Sequence, residues 1–219
     1  MKSSEPVVVG GEFEITIPQH KNLELPQKFS DGYFYSSGRT ALYAIIKNIE
    51  KMRKDITVVL IPDYICHVVP EMLKRTGLKM ELYNLNNDFN VPEELLTSIN
   101  LSNKAILLVN FFGFMSLEPI VQKIHSKAPD CIVIEDNVQA LNSMFSESSA
   151  DYRFTSFRKS LPVPDGAWVL THHPMSQPMG DNEFSQYKIA GGILKSLRHY
   201  HCIDDSFYQK MLETGEDKI

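Results

Sequence analysis

Short apolar runs alternate along this chain with amphipathic stretches of helical period, and that alternation restricts the fold more than any other feature. Val58-Val59-Leu60-Ile61 is stopped by Pro62, Ala105 to Asn110 is apolar up to its last residue, and Cys131 to Glu135 ends on an acid. Short, continuously apolar runs predict strands covered on both faces. Lys79 to Leu85 alternates as a strand, and Ala167 to Thr171 reads as one more after the turn Pro162-Val163-Pro164-Asp165-Gly166. Between them, Thr40 to Lys54, His67 to Thr76, Glu93 to Ile99 and Leu117 to Ser126 read as helices, with Gly77 as the C-cap of the second. A further helical stretch spans Phe184 to Tyr200, followed by a charged end, Glu213 to Ile219. This alternation predicts an α/β protein with three α/β/α layers around a mostly parallel sheet. Ligands of such sheets collect beyond the carboxyl ends of the strands. Pro62 to His67, Asn110 to Phe114 and Glu135 to Gln139 are therefore the segments where function is expected.

Composition excludes other classes. With 219 residues, 43% of them hydrophobic and 22% charged, the chain has globular usage. A formal charge of −5 provides no electrostatic footprint for nucleic acid or an anionic membrane. The apolar runs are far too short to span a bilayer, and Pro6 to Val9 is too short for the core of a secretory signal. Cys66, Cys131 and Cys202 are odd in number and widely spaced, which suits reduced thiols in a cytoplasmic protein. The histidine pair His172-His173 does not suggest a metal site, because adjacent histidines do not readily face one ion and no third ligand is near.

Three segments carry chemistry. In Ser36-Ser37-Gly38-Arg39-Thr40-Ala41-Leu42 a small-residue turn opens into a helix, which suits a phosphate cradle and equally an ordinary N-cap. In Ile132-Val133-Ile134-Glu135-Asp136-Asn137-Val138-Gln139 an acid stands at a strand end. A buried carboxylate there asks for a cation, and the alternative is that Asp136 caps the next helix. In Phe154 to Ala167, Lys159 lies between an aromatic stretch and a Pro/Gly turn. Held among apolar neighbours beside Arg158, it would be a usable amine nucleophile; exposed, it would be an ordinary loop lysine.

The order of these segments resembles that of the fold type I pyridoxal-phosphate enzymes, and in detail the DegT/DnrJ/EryC1 family of sugar aminotransferases. Ser37-Gly38-Arg39-Thr40-Ala41-Leu42 is similar to that family's Ser-Gly-Thr-x-Ala-Leu turn, and Glu135-Asp136-Asn137-Val138-Gln139-Ala140-Leu141 to its Glu-Asp-x-x-Gln-Ala-Leu segment. Lys159 precedes Gly166 as the family lysine precedes its Glu-Gly-Gly turn, and Ile61-Pro62-Asp63-Tyr64 and Phe111-Phe112-Gly113 fall where further family segments lie. The resemblance implies pyridoxal 5'-phosphate as cofactor, with a Schiff base to Lys159, which would also move protons. Asp136 would pair with the pyridinium nitrogen and Gln139 with the phenolic oxygen. Gly38, Arg39, Thr40 and Ser156 would hold the phosphate. Tyr64 and His67 are the candidates for stacking on the ring, since the ungapped count falls on Cys66, which cannot stack. The implied reaction transfers an amino group from glutamate to a keto-sugar nucleotide, in a homodimer.

Departures from the pattern matter. Ser156-Phe157-Arg158-Lys159 is two residues tighter than the family spacing, Arg39 replaces a small hydroxylated residue, and Asp63 stands where serine is usual. Family members run to two domains, on the order of 350 residues. The expected division is an N-terminal extension (1–29), a cofactor-binding large domain (30–180) and a third segment (181–219) that begins a truncated C-terminal domain or forms a helical tail. The shortness raises an alternative: a non-catalytic cofactor- or ligand-binding module, or an assembly partner, with an incomplete active site.

Overall fold

The computed structural model of the chain describes residues 13–15, 29, 31–176, 183–197 and 204–218. Among these, seven strands form one sheet: β1 (Tyr33–Tyr35), β2 (Val58–Pro62), β3 (Lys79–Tyr83), β4 (Lys104–Val109), β5 (Ile132–Asp136), β6 (Tyr152–Ser156) and β7 (Ala167–Thr171). Their order is β1-β7-β6-β5-β4-β2-β3. Strands β2 to β6 are parallel, and β7 runs antiparallel to both β6 and β1. The helices are α1 (Gly38–Met52), α2 (Val68–Leu73), α3 (Glu93–Ser98), α4 (Glu118–Lys127), α5 (Glu183–Leu197) and α6 (Asp205–Glu216).

The central strands are apolar along most of their length because each face meets its own layer of helices. On β2, β4 and β5, Val59, Ile61, Ala105, Leu107, Ile132 and Ile134 join one core with the buried stripe of α1 (Ala41, Leu42, Ile45, Ile46, Ile49). The alternate residues Leu60, Ile106, Leu108 and Val133 join a second core with α3 and α4. Period-two alternation thus splits a single apolar run between two cores. Each fully buried aliphatic side chain contributes about 1.5–3 kcal/mol.

The expected α/β architecture is observed, with three differences. β6 carries buried Arg153 and Thr155 in place of an apolar run, so hydrophobicity does not mark it. β1 is only three residues long. Helix α2 ends at Leu73, and Gly77 is no left-handed cap; its N–H donates to the Glu50 carboxylate. The charged end anticipated from Glu213 continues α6 as far as Glu216. Residues 198–200 of the expected fifth helix, Cys202 and most of the N-terminal 1–29 segment lie outside the described residues.

Candidate functional site

The topology brings the separated sequence segments to one edge of the sheet. β1 runs in the same sense as β5 and β6, so its carboxyl end shares their edge, and antiparallel β7 begins there. Tyr35 pairs with Ala167, Ala167 with Ser156, and Phe154 with Asp136. The turn carrying Lys159 joins β6 to β7 on that same edge. Gly166 fastens it to the start of α1: its N–H donates to Ser36 O at 2.8 Å, and its carbonyl accepts from Phe157 N–H at 2.9 Å. Its φ is +104°, and a methyl group there would lie 2.9 Å from Phe157 Cδ2. We predict that Gly166→Ala lowers stability by about 1–3 kcal/mol. An unchanged urea midpoint would show that the turn tolerates a side chain.

The small-residue turn forms the N-cap that its sequence allows. Ser37 caps α1: Thr40 N–H donates to Ser37 Oγ at 3.1 Å, and Ser37 N–H donates to Thr40 Oγ1 at 2.9 Å. The Thr40 hydroxyl also donates to Ser37 O at 2.9 Å. That hydroxyl is therefore committed to the cap, and the N–H groups of Gly38 and Arg39 lie in the first turn, ahead of the helix's own ladder. A methyl group on Gly38 would lie 3.2 Å from Val138 Cγ2 and 3.3 Å from Ser156 Cβ. Close backbone approach here gathers the turn, the segment after Asp136 and buried Ser156 into one cradle.

Asp136 ends β5 and is 8% exposed. Its Oδ1 accepts from Val138 N–H at 2.9 Å, closing a local turn rather than capping a helix. Burial pushes its pKa up to about 6 against that one hydrogen bond, which acts to lower it. No basic side chain among the described residues is hydrogen-bonded or ion-paired to it. A carboxylate left in this state at a parallel strand end is suited to a ligand that brings its own cation.

The other expected residues have their side chains in solvent. Gln139, His67 and Cys66 are exposed. Tyr64 is 61% exposed, with its ring 5.3 Å from that of Phe89 and 5.9 Å from that of Phe111. Lys159 closes a 3-10 turn, Phe157–Lys159, and is exposed, so the apolar surroundings anticipated for it are not found. The preceding Arg158 turns inward instead, 5.7 Å from the centre of the Phe184 ring. The Arg39 guanidinium pairs with Glu216, at 3.0 Å.

A buried polar network beneath the site escaped sequence reasoning. Glu135 stands directly opposite Arg153 across β5 and β6, and Arg153 Nε donates to its Oε2 at 3.0 Å. Ser148 Oγ donates to Glu135 Oε1 at 2.7 Å, and Asn137 Nδ2 to Glu135 Oε2 at 3.2 Å. Asn110 in turn donates to Asn137 Oδ1 at 3.1 Å. Arg153 also donates to the carbonyls of Ser143 and Ser146, and so holds the loop that follows Asp136. Elsewhere, His173 stacks on Tyr152 and pairs with Asp151 at 3.6 Å. Among the described residues no cluster of histidine, cysteine and acidic side chains is arranged to hold a metal ion, and no helix is long and apolar enough to cross a membrane.

No model of a known protein family matches the chain, and no curated protein sequence does. Solved structures match it in fold. A GDP-4-keto-6-deoxymannose-3-dehydratase with a trapped PLP-glutamate geminal diamine aligns with a TM-score of 0.56 at 23% identity, over 67% of this chain and 42% of that one. The aminotransferase PseC of Helicobacter pylori, involved in the biosynthesis of pseudoaminic acid, gives 0.55 at 22% identity, over 72% and 42%. The aminotransferase from Psychrobacter cryohalolentis gives 0.55 at 15% identity, over 75% and 42%. This chain therefore spans less than half the length of these proteins. In its sheet order, flanking helices and layer arrangement, it has the large-domain fold of the fold type I pyridoxal-phosphate transferases.

Proposed function

We propose that this chain binds pyridoxal 5'-phosphate and is the cofactor-binding part of an aminotransferase that moves an amino group from glutamate to a keto-sugar nucleotide. The observation that carries this reading is Asp136, a buried carboxylate with no side-chain cation on it among the described residues, hydrogen-bonded to the N–H of Val138, whose side chain lies against Gly38. A pyridinium N–H would satisfy that carboxylate, and the first-turn amides of α1 with Ser156 would hold a phosphate. When bound, the cofactor supplies an electron sink for a carbanion next to nitrogen. The residues of this chain do the rest. Asp136 would keep the ring nitrogen protonated, Gln139 would hydrogen-bond the phenolic oxygen, Tyr64 or His67 would cover the ring face, and Lys159 would be the amine for the aldehyde and the group that moves the proton. The keto-sugar class rests on the motif resemblance and on the neighbours' own descriptions.

Exposed Tyr64, Phe89, Phe112 and Phe114 form an aromatic face, which we assign to a second copy of the chain in a homodimer. Residues 30–180 form the cofactor-binding unit in this reading, followed by 181–219 as the start of a truncated C-terminal domain or a helical tail. A cytoplasmic location is part of the same reading, supported by the odd number and wide spacing of Cys66, Cys131 and Cys202. Cys66 and Cys131 are both free thiols.

Borohydride treatment of the reconstituted protein is expected to add the cofactor's mass to the peptide bearing Lys159. Labelling that persists in Lys159→Ala would sink the assignment. The exposure of Lys159 favours a second reading, a module that binds cofactor without turnover. Glutamate separates the two: an active half-reaction releases about one equivalent of 2-oxoglutarate per chain, and a binding module releases none.

A further inference from the structure

Three cations meet on one carboxylate beside the turn that opens α1. Glu216, at the end of α6, takes Arg39 Nη2 at 3.0 Å on Oε2, and on Oε1 takes Arg158 Nη1 at 3.2 Å and Lys188 Nζ at 2.7 Å. Arg39 lies in the first turn of α1, and Arg158 immediately precedes Lys159. One side chain of the C-terminal hairpin thus grips both cofactor segments at once. Lys188 is 1% exposed, donates also to Leu212 O at 2.9 Å, and lies 5.5 Å from the centre of the Phe184 ring. Burial acts to raise the pKa of Glu216, but the Lys188 hydrogen bond and the charges of Arg158, Lys188 and Arg39 together hold it below the usual carboxylate value. Glu216 is therefore an anion at neutral pH.

The hairpin itself packs chiefly helix on helix. A methyl group on Gly191 would lie 2.6 Å from Leu212 Cδ2, and one on Gly215 3.2 Å from Tyr187 Cβ, so both glycines allow α5 and α6 to lie close. Among the described residues, polar contacts fasten this hairpin to the sheet domain: Ser185 hydroxyl to the Asp165 carboxylate, and Glu216 to the two arginines. A single carboxylate offers one negative charge and two oxygens. A phosphate monoester offers up to two charges and three acceptor oxygens, and the guanidinium fork matches it.

We infer that Glu216 is the built-in, displaceable occupant of a phosphate-monoester site formed by Arg39, Arg158 and the first turn of α1, and that phosphate binding there releases α6 from the sheet domain. The inference rests on the proposed cofactor-binding role of that turn, and it assigns that role a regulatory contact. Phosphate and Glu216 compete for the same two guanidinium groups, so the apoprotein holds its C-terminal helix down and the loaded protein frees it.

The test uses the full chain with inorganic phosphate as probe, titrated calorimetrically, and hydrogen exchange over residues 204–218. Glu216→Gln keeps the side chain's size and removes its charge. It is expected to tighten phosphate at least tenfold, and phosphate is expected to speed exchange in α6 of the wild type. Unchanged or weaker phosphate binding in Glu216→Gln, or slower exchange in α6 on adding phosphate, would overturn the inference. Should Glu216→Gln fail to fold, Arg39→Gln serves instead: phosphate binding must weaken at least tenfold, and unchanged affinity overturns the proposal. Pyridoxal phosphate should free α6 while pyridoxal should not; equal release by both would refute a phosphate site. Phosphate binding that obeys Glu216 while borohydride leaves Lys159 unlabelled would retain the latch and dismiss the cofactor assignment. Labelled Lys159 with α6 indifferent to phosphate would do the reverse.

Discussion

Arg153→Met should cost about 3–5 kcal/mol, because it leaves the Glu135 carboxylate buried without its charge partner. In a chain of this size that corresponds to a fall of about 6–20 °C in Tm. The loss is of an uncompensated charge rather than of a favourable contact, and a double variant separates the two. Glu135→Gln with Arg153→Met removes both charges, so it should recover most of the loss while Asn137 and Ser148 keep an amide partner. A double variant no more stable than Arg153→Met would show that the pair contributes by packing instead. Because Arg153 also holds the Ser143 and Ser146 carbonyls, the single variant should speed amide exchange through residues 137–146 more than in β4.

That network explains where sequence reasoning stopped. Apolar runs announce β2, β4 and β5 because parallel strands are covered on both faces, and α1 is announced by a stripe that the structure buries in full. β6 gives no such signal. Tyr152 and Phe154 join the core from one face, but the other face is matched by a cross-strand charge pair whose members are eighteen positions apart, and nothing in Tyr152-Arg153-Phe154-Thr155-Ser156 indicates that Glu135 will stand opposite. The same limit applies to Glu216. Arg39 reads as a cofactor residue from its neighbours in sequence, yet its partner lies 177 residues away. The cradle is legible because its parts are local: a capping turn, a strand-end acid and a glycine that only a close approach requires. The side chains expected around its rim, Tyr64, His67, Gln139 and Lys159, stand in solvent. Local pattern can indicate that they border the site, but contacts decide what they touch.

Asp136→Asn should stabilise the apoprotein at neutral pH, an unusual result for a residue proposed to be essential. The carboxyl titrates near 3.8 in an unfolded chain and near 6 in the folded one. Between those values the folded state holds more of the proton, so its stability declines as pH rises through that window, by about 3 kcal/mol in all. Asparagine carries no charge at any pH, and its Oδ1 still accepts from Val138 N–H. The variant should therefore match the wild type below about pH 4, gain progressively up to pH 6, and hold the full advantage at pH 7.5. Melting curves of both apoproteins from pH 4 to pH 8 measure this directly; a constant offset, or none, would mean that Asp136 is not the group responsible. Bound cofactor should reverse the order. A pyridinium N–H beside Asp136 favours the carboxylate, so cofactor should stabilise the wild type at neutral pH far more than the variant. A cofactor-induced shift in Tm of equal size in both proteins would separate Asp136 from the ring nitrogen, while leaving the cost of its burial in the apoprotein as measured.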